Sequence, residues 1–290
     1  MALNRQACSM LQQGTTMRIV CLIENTPGAD NLKSEFGLSL YLETTSHKVL
    51  FDMGTGSGFW ENACALGIDL SEVDTAILSH GHYDHGGGLR TFLEKNGKAP
   101  VYVQKGAFGD FYSLRRQGYA CIGLDRELEN NPRLIKVNGS LVIDNELQLL
   151  SGVSGKKEWV PEFNSSLAVR QGEEYARDAF PHEQNLLVSA DGMHALFAGC
   201  AHCGIINILE ACEQQTGIAP GRVIGGFHLC NPGTGKSAEP SALGHLADRL
   251  NQWPAVYHTC HCTGMQAFEH LHSLMGDKVR YMATGDELRL

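Results

Sequence analysis

Four side chains that can bind a divalent cation fall in six consecutive positions, His80-Gly81-His82-Tyr83-Asp84-His85, with Gly86, Gly87 and Gly88 directly after. Imidazole nitrogen and carboxylate oxygen are the natural donors for zinc and similar ions. Successive side chains of an extended turn point in alternate directions, so His80 and His82 can face one ion. Asp84 and His85 then fall to a second ion close beside it. The three glycines allow a tight backbone turn into a helix. Two ions about 4 Å apart can hold a hydroxide between them, because binding lowers the pKa of water towards about 7. The chemistry to expect is attack on a carbonyl or phosphoryl centre. A plain solvated loop has no reason to carry histidine at this density with an aspartate in register.

The elements that must position this loop follow from apolar periodicity. Residues 17–24, 38–43 and 48–51 read as strands of a meander, and 59–66 has helical spacing. A short apolar strand at 75–78 runs straight into the His-rich loop, followed by a helix over 88–95 and a strand at 101–103. Between 107 and 184 the pattern weakens, and the reading is a helix, a pair of short strands and long loops inserted across one face. Loops of that length in a compact domain are commonly functional lids. Order returns with strands at 185–189, 194–197, 222–225, 255–257 and 278–282. Helices are expected over 205–214, 241–252 and 264–274. Two β-rich halves with helices outside predict an α/β (α+β) four-layer αββα sandwich, one domain over 17–290 after a loose leader at 1–16. No Gly-x-Gly-x-x-Gly follows the first strand, and neither Gly-x-Ser-x-Gly nor a P-loop competes with the metal reading.

Composition narrows the class further. The chain has 290 residues, 43% hydrophobic and 19% charged, which is enough to bury a sizeable core. Lys and Arg number 23 against 32 Asp and Glu, a net charge of -9. With no run of three basic residues, nucleic acid is not an expected partner. No stretch approaches the ~18 apolar residues of a membrane span. Ten cysteines without a signal-like apolar opening point to a reducing, cytoplasmic compartment with free or metal-bound thiols.

His80-x-His82-x-Asp84-His85 after an apolar strand resembles the signature of the metallo-β-lactamase fold superfamily. Phe36-Gly37-Leu38-Ser39-Leu40, Phe51-Asp52-Met53-Gly54, Gly199-Cys200-Ala201-His202, Gly225-Gly226-Phe227-His228-Leu229 and His261-Cys262-Thr263-Gly264 are similar to one branch of it. That branch includes archaeal dihydropteroate-synthase-like enzymes, which join a dihydropterin diphosphate to a ribofuranosyl-aminobenzene phosphate. The resemblance spans Met17 to Leu290. Branch members often have a histidine where this chain has Phe36, a departure that bears on specificity.

The resemblance implies two divalent ions, zinc first, with manganese or iron as alternatives. It makes His202 the third ligand of the first ion, with a helix-capping or supporting histidine as the alternative. His261 becomes the third protein ligand of the second ion, and His258, at the end of the preceding strand, competes for that role. Relatives place a bridging aspartate where Gly199-Cys200 stands, so Cys200 is either a thiolate ligand or a small buried residue. Asp84 binds one ion and orients the nucleophile. His228 faces the pocket as a proton donor or substrate contact, against the alternative of a surface histidine. His182 is a weaker candidate, in a segment, Pro181-His182-Glu183-Gln184, that supplies pocket polarity. Asp52 can accept a proton from a metal-bound imidazole and fix its tautomer, or it is simply a turn residue. A separate cysteine-metal site from Cys200-x-x-Cys203 and Cys260-x-Cys262 is disfavoured, because histidines needed elsewhere interleave both.

The expected function is a metal-dependent hydrolase of an anionic small molecule, phosphorylated or an ester. Two dications outweigh the single Asp84 carboxylate, and Arg115, Arg116, Lys156 and Lys157 extend that positive field. The alternatives are a transferase using an organic acceptor, as in the pterin branch, and a non-catalytic metal-binding sensor.

Overall fold

The computed structural model describes residues 17–153, 158 and 160–290. The expected leader at 1–16, with Lys156 and Lys157, lies outside the described residues. The first half of the chain contains β1 (Arg18–Ile23), β2 (Ser39–Glu43), β3 (Lys48–Phe51), α1 (Gly58–Ala65), β4 (Thr75–Ile77), α2 (Tyr83–Gly86), α3 (Leu89–Lys95) and β5 (Val101–Gln104). The middle adds β6 (Phe111–Arg115), β7 (Gly118–Cys121), β8 (Leu134–Val137), β9 (Leu141–Val142), β10 (Leu147–Ser151), β11 (Leu167–Gln171) and β12 (Glu174–Arg177). The remainder is β13 (Gln184–Ala190), β14 (Met193–Ala198), α4 (Ile205–Thr216), β15 (Arg222–Gly225), α5 (Pro240–Leu250), β16 (Val256–Thr259), α6 (Met265–Met275), β17 (Val279–Tyr281) and β18 (Glu287–Arg289).

Two seven-stranded sheets form, in the orders β18-β1-β2-β3-β4-β5-β8 and β17-β16-β15-β14-β13-β10-β9. Each is antiparallel at one end and parallel at the other. The period-2 alternation of the strands divides their side chains between two environments. Ile19, Leu40, Val49 and Phe51 of the first sheet meet Leu149, Leu186, Ala195 and Phe197 of the second. Phe51 and Phe197 touch across this interface with ring centroids 6.0 Å apart. The outer face of the first sheet is covered by α1 and α3 through Phe59, Ala63, Leu89 and Phe92. That of the second is covered by α4, α5 and α6 through Ile208, Leu209, Leu246 and Leu271. The result is the four-layer αββα sandwich. No helix of the described residues is long and apolar enough to cross a membrane.

Residues 107–184 depart from the expectation. No α-helix occurs there among the described residues. Instead β8 extends the first sheet, β9 and β10 extend the second, and β12-β11-β6-β7 make a separate four-stranded sheet. All these strands are short, and in the separate sheet most side chains are half-buried or exposed, so no long period shows in the sequence. Tyr119 and Tyr175 illustrate this, stacked at 3.9 Å and 6° across the extra sheet. β18 has no apolar signature for a similar reason. Glu287-Leu288-Arg289 is not an apolar run, and it pairs with β1 at an edge where Arg18 bonds Glu287 at 2.8 and 2.9 Å.

Candidate metal centre

Apart from His182 and His258, the candidate side chains sit just past a strand's carboxyl end. Asp52 follows β3, the His80–His85 loop follows β4, and His202, His228 and His261 follow β14, β15 and β16. Non-glycine residues with positive φ gather at these exits: Asp52 (60°), Ala201 (52°), His228 (51°) and His261 (51°). Such backbone costs free energy and persists only where its surroundings enforce it, which marks the sandwich rim as a place of imposed geometry. The glycines after His85 serve close approach rather than unusual φ. A Cβ at Gly88 would lie 2.2 Å from the Met53 carbonyl oxygen, and one at Gly87 2.3 Å from that of Thr55.

His80, His82 and His202 form one buried donor group with ligand atoms within 4.8 Å of one another. The nitrogen that each ring offers follows from its other bonds. Ser79 Oγ donates to Asp52 Oδ2 (2.7 Å), so it accepts from His80 Nδ1 (2.8 Å) and leaves His80 Nε2 with its lone pair. Asn164 Nδ2 donates to the His202 carbonyl (2.7 Å), which turns its oxygen to accept from His202 Nδ1 (2.9 Å). His202 Nε2 is left buried without a partner. His80 Nε2 and His82 Nδ1 stand 3.1 Å apart. Two nitrogens about 2.1 Å from one tetrahedral zinc stand about 3.4 Å apart, so the spacing fits a shared cation. Burial first, then the neighbouring imidazoles, hold His80 and His202 well below the ordinary histidine range and His82 down to about 3.

Asp84, His85, Cys200 and His261 make the second group, again within 4.8 Å and buried. Asp52 accepts from His85 Nδ1 at 2.6 Å, and from the Ser79 amide at 2.7 Å. Asn25 donates to the His261 carbonyl (3.2 Å) and accepts from its Nδ1 (2.9 Å). The Nε2 atoms of His85 and His261 therefore face each other at 3.2 Å. Asp84 Oδ2 lies 3.7 Å from the former and 3.4 Å from the latter. Cys200 Sγ is 3.1 Å from His85 Nε2. Burial disfavours the imidazolium, yet the Asp52 and Asp84 carboxylates raise His85 to about 9. Asp84 is held below the usual carboxylate range: burial opposes this, and the adjacent His85 and His261 outweigh it. A positive charge belongs in this gap, as a proton or as a metal ion.

Cys200 also belongs to a third group with His228 and Cys262. Both ring nitrogens of His228 are buried without a hydrogen-bond partner, and its ring lies 4.3 Å from that of His202. His258 joins none of these groups. It is buried within β16, where burial lowers it to about 4, and the geometry favours His261 over it. His182 departs from its expected role. Rather than lining the pocket, it accepts from the Gly81 amide (3.0 Å) and donates to Asp178 (3.0 Å), pinning the turn between His80 and His82.

Several supporting residues were not singled out from sequence. Glu183 accepts from the His202 and Cys203 amides at 2.6 and 3.0 Å, and Glu24 accepts from the His261 amide at 3.0 Å. Asn25 and Asn164 set the tautomers described above. The polar run Glu24-Asn25-Thr26 at the end of an apolar strand was a usable signal, as was Glu183 beside β13. Asn164, inside the weakly patterned middle, had none.

Residues 34–224 match the family described as the metallo-beta-lactamase superfamily. The chain belongs to that superfamily. It is similar to an uncharacterized protein of Methanocaldococcus jannaschii, 28% identical over 88% of this chain and 94% of the relative. It is also similar to the 7,8-dihydropterin-6-methyl-4-(beta-D-ribofuranosyl)-aminobenzene-5'-phosphate synthase of the same organism, 25% identical over 89% and 95% of the two chains. Among solved structures, Tm1679, described as a metal-dependent hydrolase of the beta-lactamase superfamily, superposes with a TM-score of 0.79. That match is at 29% identity and covers 94% of this chain and 99% of the other.

In this metallo-beta-lactamase superfamily member, the donor groups open onto a cavity of about 960 Å³. Phe36, Arg115, Arg116, Tyr119, Asn231 and Thr234 are among the residues that line it. The Phe36 ring stands 5.0 Å from that of His261. Arg115 comes from the β6–β7 hairpin and lines the cavity together with Tyr83 of the His-rich loop, bringing the extra sheet beside that loop.

Proposed function

We propose that this chain is a metal-dependent hydrolase of small anionic substrates, phosphorylated compounds or esters. In this reading His80, His82 and His202 hold one divalent ion, and Asp84, His85 and His261 hold a second, zinc first. One observation carries it. Five imidazole nitrogens and a carboxylate oxygen converge in two groups, while four of those rings have the other nitrogen committed to Ser79, Asp52, Asn164 or Asn25.

When bound, the ions supply Lewis acidity and a water acidified enough to be a nucleophile near neutral pH. The chain's own residues do the rest. Asp52 and Ser79 hold the His85 and His80 rings in the tautomers that present Nε2. Asp84, wedged between His85 and His261, keeps a carboxylate oxygen directed at the reacting space. His228, with both ring nitrogens free beside the cavity, is placed to give a proton to the leaving group. Arg115 and Arg116 meet the far end of an anionic substrate, and the β6–β7 hairpin that carries Arg115 serves as a wall of the site. Elemental analysis followed by a screen of phosphomonoesters, phosphodiesters, diphosphates and lactones tests this. The expected result is two metal equivalents per chain, turnover of a phosphorylated or ester substrate, and inhibition by phosphate. Binding of less than about 0.2 equivalents of any transition metal after reconstitution would sink it.

A second reading, a transferase, is favoured by the relative named as a synthase, which matches 89% of this chain. A cavity of about 960 Å³ has room for two substrates. Diphosphate release that depends on an added arylamine acceptor, with no release to water, would select it.

A further inference from the structure

The hydrolase reading leaves Cys262 without a task and gives Cys200 only a place beside the second donor group. The two residues come from different loops, Cys200 two residues before His202 and Cys262 directly after His261. Their sulfur atoms lie within 4.8 Å of each other, and Cys262 Sγ donates to the Cys200 carbonyl oxygen at 3.8 Å. Room for this meeting is provided by Gly226, where a Cβ would lie only 2.4 Å from Cys262 Sγ. The neighbouring cysteines lie apart from this pair: Cys203 packs in the core of the second sheet's outer face, and Cys260 is buried in the core between the sheets. Both Cys200 and Cys262 also line the cavity wall, so a small solute in the cavity reaches them.

We propose that Cys200 and Cys262 are an oxidisable thiol pair that controls occupancy of the second donor group, an inference that rests on the two-ion reading above. The oxidant is hydrogen peroxide. One thiol sulfur attacks the peroxide, takes one oxygen as a sulfenic acid and releases water. The other thiol then attacks that sulfur, the S–S bond forms and the sulfenic oxygen leaves as a second water. Two thiols lose two electrons in total, and one peroxide is reduced to two waters. Bond formation brings the sulfurs to about 2.05 Å. That closure draws Cys200 Sγ away from His85 Nε2, its 3.1 Å neighbour. The second group loses its sulfur, and the ion held there is released more readily.

The test uses the full chain loaded with zinc, treated with peroxide, alkylated and digested. Peptides containing Cys200 and Cys262 are expected to be linked. About one of the two zinc equivalents should pass to a chromogenic chelator, and dithiothreitol should reverse both changes. In Cys262→Ser the link cannot form, and Cys200 should be found as a sulfenic or sulfinic acid. A wild-type protein linked at these residues that keeps both zinc ions overturns the proposal. So does a wild-type protein with Cys200 driven to sulfinic acid while Cys262 stays a free thiol. A reduced protein that never takes a second zinc equivalent refutes the two-ion reading and, with it, the control of occupancy. The peptide map would still show independently whether the thiols pair.

Discussion

The two donor groups lie side by side on one rim and are built on different electrostatics. The group of His80, His82 and His202 contains only imidazoles, and its direct supports on these rings are neutral, the Ser79 hydroxyl and the Asn164 amide. Burial and mutual repulsion keep its rings unprotonated. The group of Asp84, His85 and His261 has one carboxylate as a member and a second, Asp52, bonded to His85 at 2.6 Å. Those two charges hold a proton on His85 up to about 9. The first group is therefore ready to accept a cation, whereas a cation entering the second must expel a proton. In the proposed two-ion reading, two donor groups of similar make-up would thus acquire different pH dependence through their supports.

The largest test of this contrast removes a ligand. His82→Ala should lose one metal equivalent and bring hydrolysis to the level without enzyme, while circular dichroism shows an intact fold, since the strands and helices of the sandwich are held by apolar clusters of which His82 is not a member. Global unfolding of that variant would mean that the loop is structural. The second test is pH. Apparent affinity of the second group should fall about tenfold for each unit below about 9, so about 100-fold between pH 9 and 7, as the proton on His85 competes. The first group should be flat over that range, because its imidazoles are already neutral there. Metal titration by calorimetry in two buffers reads both the affinity and the proton released, and equal slopes would erase the contrast.

Single supports come next. Asn164→Ala should weaken the first ion by roughly 10–100-fold and leave the second unchanged. Asp52→Asn should weaken the second ion by a similar factor of roughly 10–100 and also reach the first, since the same carboxylate holds Ser79 against His80. The smallest effect is at the cavity mouth. Arg115→Ala should raise the phosphate inhibition constant by no more than about fivefold with metal content unchanged, the scale of a solvated charge.

Sequence legibility followed the same division. The candidate donors of both groups are present in the motifs around His80, His202 and His261, because those side-chain types are recognisable in sequence whatever supports them. The strands and helices of the two halves were readable where burial demanded apolar residues, on both faces of β1 and along one face of α4. The extra sheet was not, because its strands stabilise one another across an exposed surface. His258 and His261 could not be ranked from sequence. Both are histidines near the end of one strand, and only the turn with positive φ at His261 swings that ring to Asp84.

The sequence by itself determined which atoms are available to bind cations and that an αββα sandwich would present them, since donor types and apolar periods are local properties. The tertiary structure alone decided which nitrogen each histidine offers, through Asn25 and Asn164 on distant segments. It also decided that Cys200 and Cys262, 62 positions apart, would meet. Tautomer, charge and sulfur contact all depend on what is packed alongside within a few ångströms, and that proximity is created by the closing of the two sheets rather than by neighbours in the chain.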